Sequence, residues 1–458
     1  MMLFVSVVKL SGVFEFLAIK CARLAKGDPW KIMLLFVLLT AVLSAFLDNV
    51  TTVLLIGPMT LTVCKLLDVN PIPFFMTEIL ASNIGGTATL IGDPPNIMIG
   101  SAAGYSFFDF ILYDAPAVAI ILVAILGVFY ALYGRKMNVD DEHKARIMEL
   151  DEHAQIKNRR LLKQSVVMTA LVVVGFMAHG ALGLESCIIA LGAAGIIMLI
   201  SGESIEEALS NVEWTTLAFF AGLFVIVGAM AETGVIEMLA HALIEATGGN
   251  VFVTMLVLLI GSAVISSFLD NIPFVATMIP ILLAMESSGM DVTPLWWAVS
   301  LGACLGGNGT LIGASANVVL SDISKKNGHE ITFVQFLKTG FPIMLLTVAI
   351  AGLYPGGRGS RRRKGRAPEA RAASQWHDVL VEEAEAALLL LDVEVAAVPA
   401  AVAKALLDAL EPVLHGGVHG GLVDGWQQGL LRDERGGQVW ESTVSMRQWR
   451  RSRTCSTC

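Results

Sequence analysis

The tetrapeptide Phe46-Leu47-Asp48-Asn49 returns unchanged as Phe268-Leu269-Asp270-Asn271, and it is one of a series. Gly12–Glu15 (GVFE) is matched by Gly234–Glu237 (GVIE), and Pro58 by Pro280. Asn83–Asn96 (NIGGTATLIGDPPN) is matched by Cys304–Asn317 (CLGGNGTLIGASAN). All the matches fall about 222 residues apart. An ordered series at one offset marks a duplication, so the chain is expected to fold as two copies of one unit. Each copy reads as a helix, an amphipathic segment, an apolar arm, a Leu-Asp-Asn tip and a second apolar arm. A helix broken at a Gly-Gly…Thr-Leu-Ile-Gly…Asn stretch follows, and then a final helix.

The solvent for this unit is lipid. Of the 458 residues, 55% are hydrophobic and 16% charged, with a mean hydropathy of +0.70. The apolar residues lie in blocks such as 115–132, 164–177, 187–200, 215–230 and 251–268. These reach or approach the roughly 17–25 residues that a helix needs to cross the hydrocarbon core. No basic segment with a small-residue cleavage site precedes the first block, so no cleaved leader is expected. The four cysteines in the apolar body (Cys21, Cys64, Cys187, Cys304) show neither zinc spacing nor a disulfide framework, and read as small packing residues.

Lys and Arg mark cytoplasmic loops. Before Pro355 they are confined to Lys9–Lys31, Lys65, the stretch Arg135–Lys163, and Lys325, Lys326 and Lys338. With 135–163 inside, counting crossings places 232–250 outside and Lys325 and Lys326 inside. The first hairpin then starts and ends inside, and the second starts and ends outside. The expected fold is therefore an all-α integral membrane protein of two inverted-topology repeats, with re-entrant hairpins and broken transmembrane helices. The expected parts are a first repeat over 1–134, a cytoplasmic linker over 135–163, a second repeat over 164–354, and an atypical tail over 355–458. The first repeat reads as shortened, because Met1–Leu10 (about 15 Å of helix) matches only the end of the helix starting at Trp214. The tail opens with the basic run PGGRGSRRRKGR and reads as foreign to the fold; an amphipathic helix over 379–410 is its one structural expectation, and His415/His419 are not expected to hold metal.

The chemistry sits in the tips and the breaks. Asp48 and Asp270 are carboxylates inside apolar runs, and intramembrane acids mark ion or proton pathways. Asn49, Thr51 and Asn271 add oxygens beside them. The breaks Gly85-Gly86 and Gly306-Gly307 stop a helix at membrane depth. Unwound backbone there is tolerated only inside protein or against water, where its carbonyls can ligate a cation. Asn83, Thr89, Asp93 and Asn96 supply side-chain oxygens to the first break, and Asn308, Thr310 and Asn317 to the second. Glu78 has Val299 as its counterpart, so it breaks the symmetry; it reads as a proton carrier or a structural hydrogen-bonding group. His179, Glu15 and Glu237 read as structural. No Ser/His/Asp set, metal cluster or phosphate loop lies at matched depth, so the chain does not read as an enzyme, and no nucleic-acid partner is implied.

Residues FLDNVTTVLLIGPM and ASNIGGTATLIGDPPNIMIGSAAG resemble an ion transporter superfamily. Its branches include arsenite pumps of the ArsB type, sodium/proton antiporters of the NhaD type, the P protein, and citrate and dicarboxylate permeases. The resemblance covers about residues 1–354. It implies a scaffold and a mobile transport domain, commonly in a homodimer, with substrate and coupling ions at the hairpin tips. Dicarboxylate members carry Ser-Asn-Thr at the tip, whereas Asp48-Asn49-Val50 and Asp270-Asn271-Ile272 stand here. That difference favours the arsenite, sodium/proton and P-protein branches. The expected activity is secondary active ion transport by alternating access, with a small inorganic ion or oxyanion as substrate. Sodium or a proton would be the coupling ion, no cofactor is needed, and the expected site is a bacterial or archaeal plasma membrane. A sodium/proton antiporter, a citrate or dicarboxylate permease, and an inactive fragment are the alternatives.

Overall fold

A computed structural model describes residues 2–134, 158–182, 186–202 and 214–354, most of 137–156, residues 209 and 212, and two short strands at 430–432 and 438–440. The calls on 379–410 and on His415/His419 lie outside the described residues. The chain divides into two compact units, residues 1–223 with 230–376, and residues 224–229 with 377–458. In the second unit, Leu430–Arg432 and Gln438–Trp440 pair antiparallel, with Leu430 opposite Trp440. The site belongs to the first.

The regular secondary structure described over residues 2–354 is all helical. Its elements are α1 (Met2–Leu10), α2 (Val13–Leu24), α3 (Pro29–Ser44), α4 (Asn49–Leu67), α5 (Ile72–Gly86), α6 (Pro94–Ala103), α7 (Phe107–Tyr113) and α8 (Ala115–Phe129). Then come α9 (Asp141–Met148), α10 (Arg159–Leu182), α11 (Ser186–Ser201), α12 (Trp214–Glu232), α13 (Val235–Ala246) and α14 (Val251–Ser266). Last come α15 (Asn271–Ser287), α16 (Thr293–Gly306), α17 (Ser315–Lys326) and α18 (Phe333–Leu353).

The duplication is visible in the element starts: Val13 and Val235, Pro29 and Val251, and Asn49 and Asn271 each stand about 222 residues apart. The packing is duplicated as well. α3 lies on α5 as α14 lies on α16, and α2 lies on α4 as α13 lies on α15. Each half also reaches into the other: α4 packs on α17, and α15 packs on α6.

Local chemistry accounts for the element ends. Asp28 caps α3, its side chain accepting from the Lys31 N–H, with Pro29 in the first turn; Asn250 caps α14 through the N–H groups of Phe252 and Val253. Both α3 and α14 run 16 residues, about 24 Å, short of the hydrocarbon thickness. Among the described helices, four are long and apolar enough to cross a membrane: Asn49–Leu67, Ala115–Gly134, Arg159–Ala178 and Phe333–Leu353. Two further pairs bend at Gly12 and Gly234, by 65° and 72°. Both glycines take positive φ (80° and 74°), which suits a residue without a Cβ.

The contact between α3 and α5 depends on missing side chains. A Cβ on Gly85 would collide with the Ala41 carbonyl oxygen, and one on Gly306 would sit 2.6 Å from the Ala263 carbonyl oxygen. Glycine at these matched places lets helix backbones touch, as small residues do in membrane interfaces. Within 135–163 the described residues include α9. This helix packs on α2 and α4, buries Ile147, and is flanked by an Arg23–Glu152 ion pair.

Candidate functional site

Each broken helix is closed by the asparagine of the half-helix that follows it. In the first half, the Asn96 carboxamide donates to the carbonyls of Thr87 (3.1 Å) and Thr89 (3.0 Å). In the second, Asn317 donates to the carbonyls of Gly307 (2.7 Å) and Thr310 (2.9 Å). Helix termini leave such carbonyls without intrahelical partners, and a buried orphan is costly. A carboxamide has two N–H donors, and both are spent here, which leaves each side-chain oxygen facing the opposite half of the molecule.

Those oxygens are met in matched fashion. The Asn317 oxygen accepts from Asn83 of α5 at 2.9 Å. The Asn96 oxygen accepts from Cys304 of α16 at 3.4 Å, and Cys304 stands where Asn83 stands in the other copy. Asn83 also donates to Asn308 at 3.0 Å and accepts from Asn49 at 3.1 Å. One tip asparagine, both breaks and the facing half-helix therefore share a single buried network.

The tips are fixed to the breaks by hydroxyls. Ser44 donates to the Ser82 carbonyl at 2.6 Å, and Ser266 donates to the Ala303 carbonyl at 2.7 Å. Thr89 donates to the Ala45 carbonyl, and Thr310 to that of Ser267. A hairpin turn with its backbone carbonyls satisfied this way need not reach bulk water.

The acids divide by environment. Asp48, half-buried, caps α4, accepting from the Thr51 N–H and hydroxyl at 2.7 Å each. It does so at φ 116°, a backbone state that costs a non-glycine residue roughly 1–3 kcal/mol and that clusters at functional sites. Asp270, also half-buried, caps α15 through the Ile272 N–H at 3.1 Å and accepts from Ser315 of α17 at 2.7 Å. Asp93 is fully buried at the start of α6. Both of its oxygens accept from the tip residue Asn271 of the other half, at 3.2 and 3.1 Å. Asp48 and Asp270 both lie close enough to act on Asp93 electrostatically.

The structure thus brings Asn49, Asn83, Asn308 and Asn317 into one network. Asp93, Asn96 and Asn271 join a second, with Cys304 touching both Asp93 and Asn96. Thr89 and Thr310 serve the tips, Gly85 and Gly306 the helix contacts, and Gly86 and Gly307 close approaches to Gly92 and Gly313. Among the described residues no three His, Cys, Asp or Glu side chains converge as a metal cage. Glu78 is buried away from these networks, accepting from Thr60 of α4 at 2.5 Å. Sequence reasoning missed Ser300, Cys304 and Asp114. Ser300 and Cys304 lie one helical turn apart on α16, a spacing that is visible in the sequence but equally common in packing faces.

No Lys or Arg occurs at 66–134 or 164–324, which contain most of these elements. The site is built from carboxylates, carboxamides, hydroxyls and backbone carbonyls, the ligand set of a hard cation.

The family model described as "Citrate transporter" matches residues 1–302. An uncharacterized transporter of Mycobacterium tuberculosis is 46% identical over 357 residues, covering 77% of this chain and 83% of its own. A "46 kDa membrane protein" of Mycobacterium leprae is equally similar, with the same coverage. The P protein of Homo sapiens is 32% identical over 434 residues, covering 77% of this chain and 52% of its own. With its apolar helices and its match through both tips and the first break, the chain belongs to the citrate transporter family of multi-pass membrane transporters.

Proposed function

We propose that the protein is a secondary active ion transporter that works by alternating access across a plasma membrane. Its two halves insert with opposite topology, a reading that the Lys and Arg distribution supports, and the two hairpins enter from opposite faces. The observation that carries this reading is the pairing of Asp93 with Asn271. A fully buried acid at the end of one broken helix is held by the tip of the hairpin from the other half. A buried carboxylate with no cationic side chain beside it needs a counter-ion. The small monovalent ions, sodium or a proton, fit that need. Asp48 and Asp270 attract the ion to the tips, and Asn49, Asn271 and the break carbonyls complete its shell.

The transported solute is then an inorganic cation or a neutral oxyacid such as arsenite. An anionic solute, citrate included, would have to enter together with cations or against helix N-termini, because no Lys or Arg faces it. A homodimer in the bilayer is the assembly we propose. The test is uptake of radioactive sodium into liposomes holding the purified protein, under an outward sodium gradient. Wild-type protein accumulates label, and Asp93→Asn or Asp48→Asn with Asp270→Asn together lower the rate by about tenfold or more. Equal rates in all three would remove the reading.

A further inference from the structure

Asp114 stands at the start of α8, fully buried, and takes no part in the site described above. One of its oxygens, Oδ1, has no hydrogen-bond partner. The other, Oδ2, lies 2.7 Å from the Ser300 hydroxyl of α16. The same hydroxyl lies 2.8 Å from the side-chain oxygen of Asn96. The titratable groups on the helices packed against α8 are Glu78 of α5, Asp109 and Tyr113 of α7, and Lys338 of α18, with Cys304 of α16 nearby. No described Lys, Arg or His forms an ion pair with Asp114. Trp297, one turn before Ser300, is packed by Tyr105, Phe110 and Tyr113 at ring distances of 4.6, 5.2 and 4.8 Å, which walls this end of the pair with aromatic rings.

The hydrogen-bond count decides what Asp114 is. A serine hydroxyl carries one proton, yet Ser300 faces two acceptors. The count closes when Asp114 is the neutral acid. It then donates to the Ser300 oxygen, and Ser300 donates to Asn96. A buried acid without a cation is held most cheaply in that form. We infer that Asp114 is an exchangeable proton site, linked through Ser300 to the Asn96 oxygen at the first broken helix.

The linkage has a direction. With the proton on Asp114, the Asn96 oxygen is occupied by Ser300. When the proton leaves Asp114, the Ser300 hydroxyl turns to the carboxylate and the Asn96 oxygen keeps only the weaker Cys304 thiol as donor. The Asn96 carboxamide still clamps Thr87 and Thr89, so the oxygen stays beside Cys304, which also touches Asp93. A cation there gains a ligand as the proton is lost, which is the exchange that an antiporter needs. This step rests on the cation site proposed above; the protonation of Asp114 does not.

Two measurements on the full chain in liposomes keep them apart. The infrared spectrum of wild type minus Asp114→Asn, at neutral pH, should contain the C=O stretch of a protonated carboxylic acid. Ser300→Ala should move that band to higher frequency by removing its hydrogen bond. A difference spectrum without the band overturns the proposal, whatever sodium does. The second measurement is sodium affinity against pH. Wild type should tighten about tenfold more between roughly pH 6 and pH 8 than Ser300→Ala and Asp114→Asn, which keep only the competition of sodium and proton at Asp93. A wild-type profile that is flat, or one whose slope is unchanged in Ser300→Ala, overturns the linkage. If wild type binds no sodium at any pH, the cation site is refuted and the infrared band alone decides the protonation of Asp114.

Discussion

Asp93 and Asn271 meet across the two halves through both carboxylate oxygens. Asn271→Ala removes the donor to both Asp93 oxygens while leaving the carboxylate buried. Loss of a hydrogen bond to a buried charged group costs about 1.5–3 kcal/mol, and thermal unfolding in detergent should show a clear drop in midpoint. Added sodium should restore part of it, because a ligand that binds only the folded state stabilises it. A drop that sodium leaves untouched would mean that Asp93 holds no cation. At the tips, Asp48 and Asp270 are not equivalent despite identical sequence. Asp48 carries a positive φ and Asp270 does not. Asp48→Gly should therefore destabilise less than Asp270→Gly, because relief of backbone strain offsets its lost bonds to Thr51, whereas Asp270→Gly loses its bonds to Ile272 and Ser315 with no such relief. Comparing the two melting shifts checks this; equal losses would contradict it.

Among the elements, the α3–α5 and α14–α16 contacts carry the hairpins. Gly85→Leu and Gly306→Leu insert a side chain where backbone already sits. Overpacking of this kind costs about 1–3 kcal/mol or more, and here the neighbour is a carbonyl that cannot turn away. Each variant should lower the melting midpoint, and Gly104→Leu should not do so by crowding, since its missing Cβ faces open space. The elements themselves were legible because their signals are local. Asp-Asn after an apolar run, Gly-Gly inside one, and the constant offset are visible to pattern reading, and the helices begin and end near those marks. What was illegible is long-range. The Asn96 and Asn317 clamps look in sequence like any polar residue after a break. The Ser300–Asp114 bond spans 186 residues. Asp114 itself sits beside Pro116 before an apolar block and reads as a helix start, because pairing across a fold leaves no mark on either residue alone.

For the whole molecule, the packing of α4 on α17 and of α15 on α6 means that neither half completes the site by itself. The mobile part should therefore comprise elements from both halves, with α9 braced against α4 on the side of Arg135–Lys163. Alternating access requires that the space beside the tips open to each face in turn. Ser315 touches Asp270 and is partly accessible, which makes Ser315→Cys a reporter of that space. The most direct measurement is labelling of this cysteine by a membrane-impermeant thiol reagent, in a background without other reactive cysteines. It is applied to right-side-out and to inside-out vesicles, with and without sodium. Labelling from both faces, slowed by sodium in each case, is the predicted result. Labelling from one face alone, at a rate indifferent to sodium, would contradict an alternately exposed ion site.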